Sequence, residues 1–352
     1  MFGHKLISTS PSRTPALRVA GARVGIQMRG DLLALVRVRH EPGQTPMIER
    51  LQNVDVELTR RADAIRRLAN MGVLRDAAVC VLLAPGEYDL YQIPAPNVPA
   101  DEMREAVRWQ LRGTLPYSPE DATVDFVPVP PPAADATPSK PMLLVVAAPK
   151  ATVEQTIAPF LAAGAELDSV DVPEFAQRNL AAFAANDAKG TLAWLSFDTD
   201  ALLLTAQRRR DLSFARRIHV AGAGTTVGVE TETAAAHLIE RIVTQVQRSL
   251  DLFERQSGQP AVSQLIVGPH RYGAQIARQL ADRVALATRE FDPEQSLRWA
   301  PDVSTSGAGW NECISALGAA LRSEGDATGQ GAAPAGLAFV RGAMARLLRK
   351  AA

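Results

Sequence analysis

The sequence predicts a duplicated α/β fold, in which one strand–strand–strand–helix–strand–helix unit is used twice and the first copy carries an insertion. Three observations predict it. Two trios of extended segments open the two halves: ARVGIQM, DLLALVRV and residues 48–58 in the first, TLAWLSF, ALLLTAQ and DLSFARRIHV in the second. Each trio leads into helical periodicity, a short buried strand and another helix. Between residues 92 and 129 a proline-bracketed helix and an acidic extended stretch interrupt the first copy.

The elements follow in order. ARVGIQM and DLLALVRV flank Arg29-Gly30, a hairpin pattern, and residues 48–58 make the third extended stretch. Residues 60–71 place Ala64, Ile65, Leu68 and Met71 on one helical face, Gly72 stops that helix, and residues 77–83 form a buried strand. In the insertion, Pro96 and Pro99 keep the approach extended because proline fixes φ and restricts the residue before it. Asp101 and Glu102 then put negative charge in a first helical turn, so a helix is expected from about residue 100. Met103, Val107 and Leu111, flanked by Ala106, make its apolar stripe, while Arg104, Glu105, Arg108 and Arg112 fall on the other side. After the loop PPPAADATPSKP, MLLVVAA resumes a buried strand, followed by a helix over 152–163, a strand over 167–172 and an alanine-rich helix over 174–185.

In the second half the polar turns Asp198-Thr199-Asp200 and Arg208 to Asp211 separate the three strands. The loop AGAGTTVG precedes the longest helix, about 230–255, with Ile239, Val243, Val246, Leu250 and Phe253 at spacings of three and four. The strand SQLIVG, a helix over 272–282 and a last helix over 312–321 complete the copy. The expected divisions are a flexible N-terminus over 1–21, a first half over 22–189 with an inserted subdomain at about 86–140, and a second half over 190–322. A small-residue linker over 323–336 and a short basic amphipathic helix over 337–352 follow, with Leu337, Val340, Met344 and Leu347 on one side and Arg341, Arg346, Arg349 and Lys350 around it. Each such cation contributes roughly 1 kcal/mol near an anionic membrane, so this segment holds the protein near the inner membrane, clips onto a partner or folds back on its own core.

Bulk properties exclude several classes. The 352 residues are 47% hydrophobic, enough for sizeable cores. Lys+Arg and Asp+Glu balance at 38 each, so there is no overall positive field of the kind that drives nucleic-acid binding. Cys80 and Cys313 are far apart and lack partners at metal spacing, which makes them buried structural thiols in a reducing compartment. No apolar run reaches the length of about 18 residues that spans a bilayer, and the N-terminus lacks a signal core, so a cytoplasmic location is expected.

This outline resembles the actin-like, ribonuclease-H-like ATPase superfamily. The insert IPAPNVPADEMREAVRWQLRGTLPYSPEDATVDF resembles the added subdomain of its PilM-like branch, which serves type IV pilus assembly. ERIVTQVQRSLDLFERQ resembles that family's long second-half helix, and LSFARRIHV with the ensuing glycine loop stands in the corresponding order. The likeness covers about residues 20–322 and is nearest the MshI-type proteins of mannose-sensitive haemagglutinin pili. It implies a groove between the first subdomain and the insert that takes the cytoplasmic N-terminal segment of a PilN-like membrane-anchored assembly protein. Arg108, Trp109, Arg112 and Tyr117 belong to the matching segment and are the candidates for lining or shaping that groove. An exposed aromatic beside guanidinium groups is a common peptide anchor, although Trp109 packing the insert onto the core is the alternative.

The resemblance also implies where ATP and Mg²⁺ would sit, and there the chain departs from the pattern. The first phosphate loop of such a fold needs an aspartate for the metal and glycines for close backbone approach. This chain has Gly25-Ile26-Gln27-Met28-Arg29-Gly30, with a neutral amide at the acidic position, a bulky arginine where glycine is expected, and Gly30 to rescue the turn. The second loop, Leu195 to Asp200 with Thr199 at its tip, has no glycine, and Asp198 and Asp200 read as simple turn residues. The adenine-side element Val267-Gly268-Pro269-His270 has one glycine and a proline that removes a donor. Gly25, Gln27, Gly30, Thr199 and Gly268 are thus positions of a degenerate nucleotide site. No catalytic residue, metal ligand or required cofactor is expected.

Other constellations read as structural. Gly222 to Gly228 lacks the lysine of a P-loop, although it precedes a helix and could cradle an anion. His237 and Glu240 share a helix face but do not define a metal site. Arg208, Arg209, Arg210, Arg216 and Arg217 make a basic hairpin that is either solvated or turned to an acidic partner or phospholipid headgroups. No G-x-S-x-G is present and neither cysteine has a catalytic context. The expectation is a cytoplasmic, non-hydrolysing actin-fold adaptor of pilus assembly. The alternatives are an active ATPase of the same fold, a sugar-kinase-like enzyme and the cytoplasmic part of a type II secretion platform.

Overall fold

The computed structural model describes residues 21–132, 140–165, 167–185, 190–224, 231–256, 258–303 and 309–322. The first half runs β1 (Gly21–Arg29), β2 (Leu32–His40), β3 (Met47–Asp55), α1 (Arg61–Asn70) and β4 (Ala77–Leu82). It continues through β5 (Asp89–Pro94), α2 (Met103–Gln110), β6 (Ala122–Pro128) and β7 (Met142–Pro149) to α3 (Lys150–Ala162), β8 (Leu167–Asp171) and α4 (Pro173–Ala184). The second half runs β9 (Thr191–Asp198), β10 (Ala201–Arg208), β11 (Asp211–His219), α5 (Glu232–Gln256), β12 (Val262–Val267), α6 (Gly273–Val284), β13 (Ala287–Glu290), α7 (Pro293–Ser296), β14 (Arg298–Trp299) and α8 (Trp310–Ala320).

The repeat is visible in the sheets. The first has the order β14-β3-β2-β1-β4-β8 and the second β11-β10-β9-β12-β13, so apart from β14 the two are laid out alike. In each, the opening strand pairs antiparallel with the next and parallel with the fourth: β1 with β2 and β4, β9 with β10 and β12. Alternation along the strands decides the layers. Leu33 and Leu35 face a core with α1 and α3, whereas Ala34, Val36 and Val38 face one with α4 and α8. Ala193, Leu195 and Phe197 of β9 pack against the long stripe of α5 and against α6.

The halves are joined by an exchange of helices. α4 follows the first sheet in sequence but packs on β9, β10 and β11, and α8 follows the second sheet but packs on β1, β2 and β4. The two helices also pack on each other, and polar groups fix their seating. Gln177 donates to the Trp194 carbonyl at 2.7 Å and to Thr205 Oγ1 at 2.9 Å, and Asn179 Nδ2 donates to the Gly318 carbonyl at 3.0 Å. These amides are buried and bonded, so they specify register at little cost.

Several readings change. MLLVVAA, expected as a core strand, is β7, the middle of a separate sheet β5-β7-β6. The insert's sheet therefore extends past residue 140. The stretch 89–94 is its edge strand β5, which prolines at 94 and 96 concealed. The insert helix starts at Met103, three residues late, because Asp101 and Glu102 form a preceding turn. β13, α7 and β14 were not expected; they are too short to show periodicity. The expected N-terminal arm, except its last residue, the linker over 323–336, the basic helix over 337–352 and the glycine-loop residues 225–228 lie outside the described residues.

Candidate functional site

The β1–β2 and β9–β10 hairpins are both closed by two-residue loops, Gly30-Asp31 and Thr199-Asp200. Gly30 has φ +52°, the left-handed conformation its turn needs. The last residues of β1 and β9 face each other from the two halves, and Arg29 Nη1 forms an ion pair with Asp198 Oδ1. Both side chains are about four-fifths buried. Asp198 Oδ1 also accepts from Thr199 N at 2.7 Å, and its Oδ2 lies 3.7 Å from Arg217 Nη1 on β11.

The network runs on from Arg217. Its Nε donates to Glu174 Oε1 at 3.1 Å and its Nη2 to the Tyr88 hydroxyl at 3.0 Å; the Tyr88 hydroxyl donates to Glu174 Oε2. Glu174 begins α4 and Tyr88 lies between β4 and β5, at the root of the insert. Burial alone would weaken the charge of Arg217, but Glu174, Tyr88 and Asp198 outweigh it and hold its pKa above the ordinary value. Burial first, and the Glu174 charge second, push the Tyr88 phenol well above its usual range. Asp198, taken from sequence as a simple turn residue, is thus a bridging anion, and Arg217 is no solvated member of a basic hairpin.

Beside this network is a cavity of about 900 Å³ lined by residues 269–271 after β12, 290–295 around α7, Gly224 and the start of α8. Gly224 packs on the Asp198 backbone and its carbonyl accepts from Asn311 Nδ2 at 3.2 Å, so the cavity adjoins the β9–β10 hairpin. Its walls carry Glu290, Asp292, Glu294 and Glu312 against Arg271. His270 stacks on Phe197 at 4.4 Å, and burial lowers its pKa to about 4, so the ring is neutral at physiological pH. Burial raises the pKa of Glu290, whose carboxyl sits against Gly273 at the start of α6. Asp292 is the N-cap of α7, accepting from Glu294 N and Gln295 N.

The expected nucleotide positions divide. Gly30, Thr199 and Gly268 lie at strand ends, with Gly268 N donating to the Leu195 carbonyl at 2.7 Å immediately before the cavity residues. Gly25 does not open toward a ligand: a Cβ there would overlap the Ala316 carbonyl oxygen, so glycine is needed for α8 to pack on β1. Gln27 is 4% exposed. Among the described residues no group of acidic, histidine or cysteine side chains could hold a metal. Glu240 of the H-x-x-E pair is bonded to Arg283 at 2.7 and 3.0 Å.

The insert residues form two groups. Trp109 is 44% exposed; its Nε1 donates to Glu105 Oε1 at 2.6 Å, Arg112 lies 5.8 Å over its ring, and Arg108 pairs with Glu105. Tyr117 instead packs against the insert core of Val107, Leu111 and Val145, and its hydroxyl is pushed up to about 12 by burial first and then by Asp89 and Tyr91. None of the four lines the groove of about 250 Å³ at the insert's root. That groove is lined by Met28, Leu58, Leu82, Glu87, Gln155 and Pro159, among others, and Leu58 is 66% exposed. A groove between the first subdomain and the insert was expected, but not with these lining residues, of which Leu58, an apolar residue just past a strand and before a helix, was the one local signal.

No family model and no curated protein matches the sequence. Solved structures do. A PilM–PilN type IV pilus biogenesis complex superposes with a TM-score of 0.63 at 22% identity, covering 87% of this chain and 98% of that one. The cytoplasmic domain of EpsL, an inner-membrane component of the type II secretion system of Vibrio cholerae, gives 0.46 at 11% identity, over 83% and 94%. A Bacteroides thetaiotaomicron protein described as having an actin-like ATPase fold and unknown function gives 0.47 at 10%, over 80% and 95%. The chain has the actin-like fold, as its two equivalent sheets and the first of these likenesses show. No described helix is long and apolar enough to cross a membrane.

Proposed function

We propose that this chain is a non-hydrolysing scaffold of pilus assembly that binds the N-terminal cytoplasmic segment of a PilN-like membrane-anchored protein. The observation that carries the non-hydrolysing part is the Arg29–Asp198 ion pair across the cleft. In a fold that grips phosphate between two hairpins, a protein guanidinium from the first already holds the Asp198 carboxylate of the second. The adjoining cavity, with four carboxyl side chains to one arginine, disfavours a polyanion further. ATP and Mg²⁺ are accordingly not required.

The partner assignment is supported by the fold shared with PilM of the PilM–PilN complex and by the apolar groove between the first sheet, α3 and the insert root. An extended apolar peptide suits a groove whose floor is Met28 and Leu82 and whose rim is Leu58. Trp109 with Arg108 and Arg112 offers a second contact on the insert. The resemblance of the insert to the MshI-type protein extends the proposal to mannose-sensitive haemagglutinin pili and to a place beside the inner membrane.

The test is titration with a synthetic peptide copying the N-terminal segment of a PilN-like protein from the same organism, with Mg·ATP shift and phosphate release followed in parallel. Peptide binding weakened at least tenfold by Leu58→Asp, without phosphate release, supports the proposal. Binding indifferent to Leu58→Asp removes the groove, and steady phosphate release removes the scaffold reading.

A further inference from the structure

The two halves are joined through α4 and α8 and by the pairing of β14 with β3, which leaves the facing hairpin tips to be held by groups at the cleft mouth. Here the spanning group belongs to the chain. Arg29 reaches from the first half to Asp198 in the second, Asp198 is shared with Arg217, and Arg217 is bonded to Glu174 and Tyr88. The chain of contacts thus ties together the tips of both hairpins, the start of a crossing helix and the root of the insert.

Two neighbours connect this chain to the groove. Met28, beside Arg29, and Glu87, beside Tyr88, both line it. Arg61, another lining residue, donates from Nη2 to the Gly30 carbonyl at the hairpin tip. The hairpin that carries Arg29 is therefore also a wall of the groove.

We propose that the Arg29–Asp198 pair is a built-in latch, which holds the two halves closed without nucleotide and keeps the groove's hairpin wall in place. The guanidinium supplies between the hairpins a charge-assisted bond to Asp198 that would otherwise need a bound cation. Closure is then a standing property of the protein, opened by whatever competes for Asp198 or draws the β1–β2 hairpin away. This inference rests on the scaffold reading of the cleft, and its test does not use nucleotide.

The experiment places dyes on cysteines introduced at Glu57 in the first half and Ala236 in the second, both exposed, in the full chain; native Cys80 and Cys313 are buried and do not compete. Wild type should give one short-distance population in single-molecule energy transfer. Arg29→Ala should shift it to a longer, broader distribution, and millimolar guanidinium ion should restore the short one by filling the vacated place. Asp198→Asn should open as well and should not respond to guanidinium. An Arg29→Ala protein with the wild-type distribution overturns the latch, as does guanidinium closure of Asp198→Asn. Should Arg29→Ala fail to fold, Arg29→Gln, which keeps much of the side-chain length without the charge, decides: an open distribution supports the latch and the wild-type one overturns it. Phosphate release by wild type would overturn the scaffold reading while leaving these distances meaningful.

Discussion

Arg29 and Asp198 occupy equivalent places in the two copies of the repeat, and they are bonded to each other. Each ends the first strand of its half and pairs with the first residue of the second strand, Arg29 with Leu32 and Asp198 with Ala201. Duplication brought the two positions face to face across the cleft, and opposite charges at those positions turned the meeting into a bond.

Removing either partner should therefore cost stability as well as closure. Each side chain is about four-fifths buried, and a charged hydrogen bond in such surroundings contributes roughly 1.5–3 kcal/mol. Arg29→Ala and Asp198→Asn should each lower the urea midpoint, with the double variant no worse than the poorer single one. Additive losses would show that the two side chains act separately.

Gly25 should tolerate no side chain. A Cβ at this position meets backbone atoms of α8, which cannot rotate away as a side chain would. Gly25→Ala should lose about 1–3 kcal/mol through forced separation of α8 from β1, read as a fall in thermal midpoint. An unchanged midpoint would mean that α8 is not seated against β1 as described.

Stability should fall as pH drops from about 6.5 toward 4. The folded-state pKa of His270 is lowered to about 4, mainly by burial, so the unfolded chain binds a proton in that window and the folded one does not. The linkage is on the order of 2–3 kcal/mol. Burial lowers His40 in the same sense, while Glu290, raised by burial, works in the opposite one. Comparing wild type with His270→Gln isolates the first: the variant should have the shallower pH slope between 4 and 6.5. Parallel slopes would place the His270 ring in solvent.

Cys80 and Cys313 should be inert in the folded protein. Burial pushes both thiols up to about 12, with Asp171 adding at Cys80 and Glu312 at Cys313. An aromatic disulfide reagent at pH 8 should modify neither until denaturant is added, after which both react. Prompt reaction of either thiol would contradict its packing against α8 or within it.

Much of the fold was legible because it is written locally. The apolar spacing of α5, the paired trios of strands and the glycine after α1 each declare themselves within a dozen residues. The identity of MLLVVAA as a strand was equally clear, but its sheet was not, since a buried strand looks the same whichever neighbours it has. The candidate site was less legible still. Gly25 looked like a phosphate-loop glycine because sequence shows the missing side chain and not the helix that requires its absence. Trp109 was singled out as a distinctive residue; it is exposed and touches Glu105 and Arg112, but it does not line the groove at the insert's root.

By itself, then, the sequence determined the order of the principal strands and helices of both halves, the repetition of the unit, and a glutamine rather than a carboxylate at position 27. These follow from periodicity, turn chemistry and residue type, all short-range properties. Only the tertiary structure decided that α4 and α8 exchange sheets, that β7 belongs to the insert, and that Arg29 finds Asp198 across 169 residues of sequence. Such pairings depend on which surfaces remain to be buried after the local elements have formed, and no window of neighbouring residues contains that information.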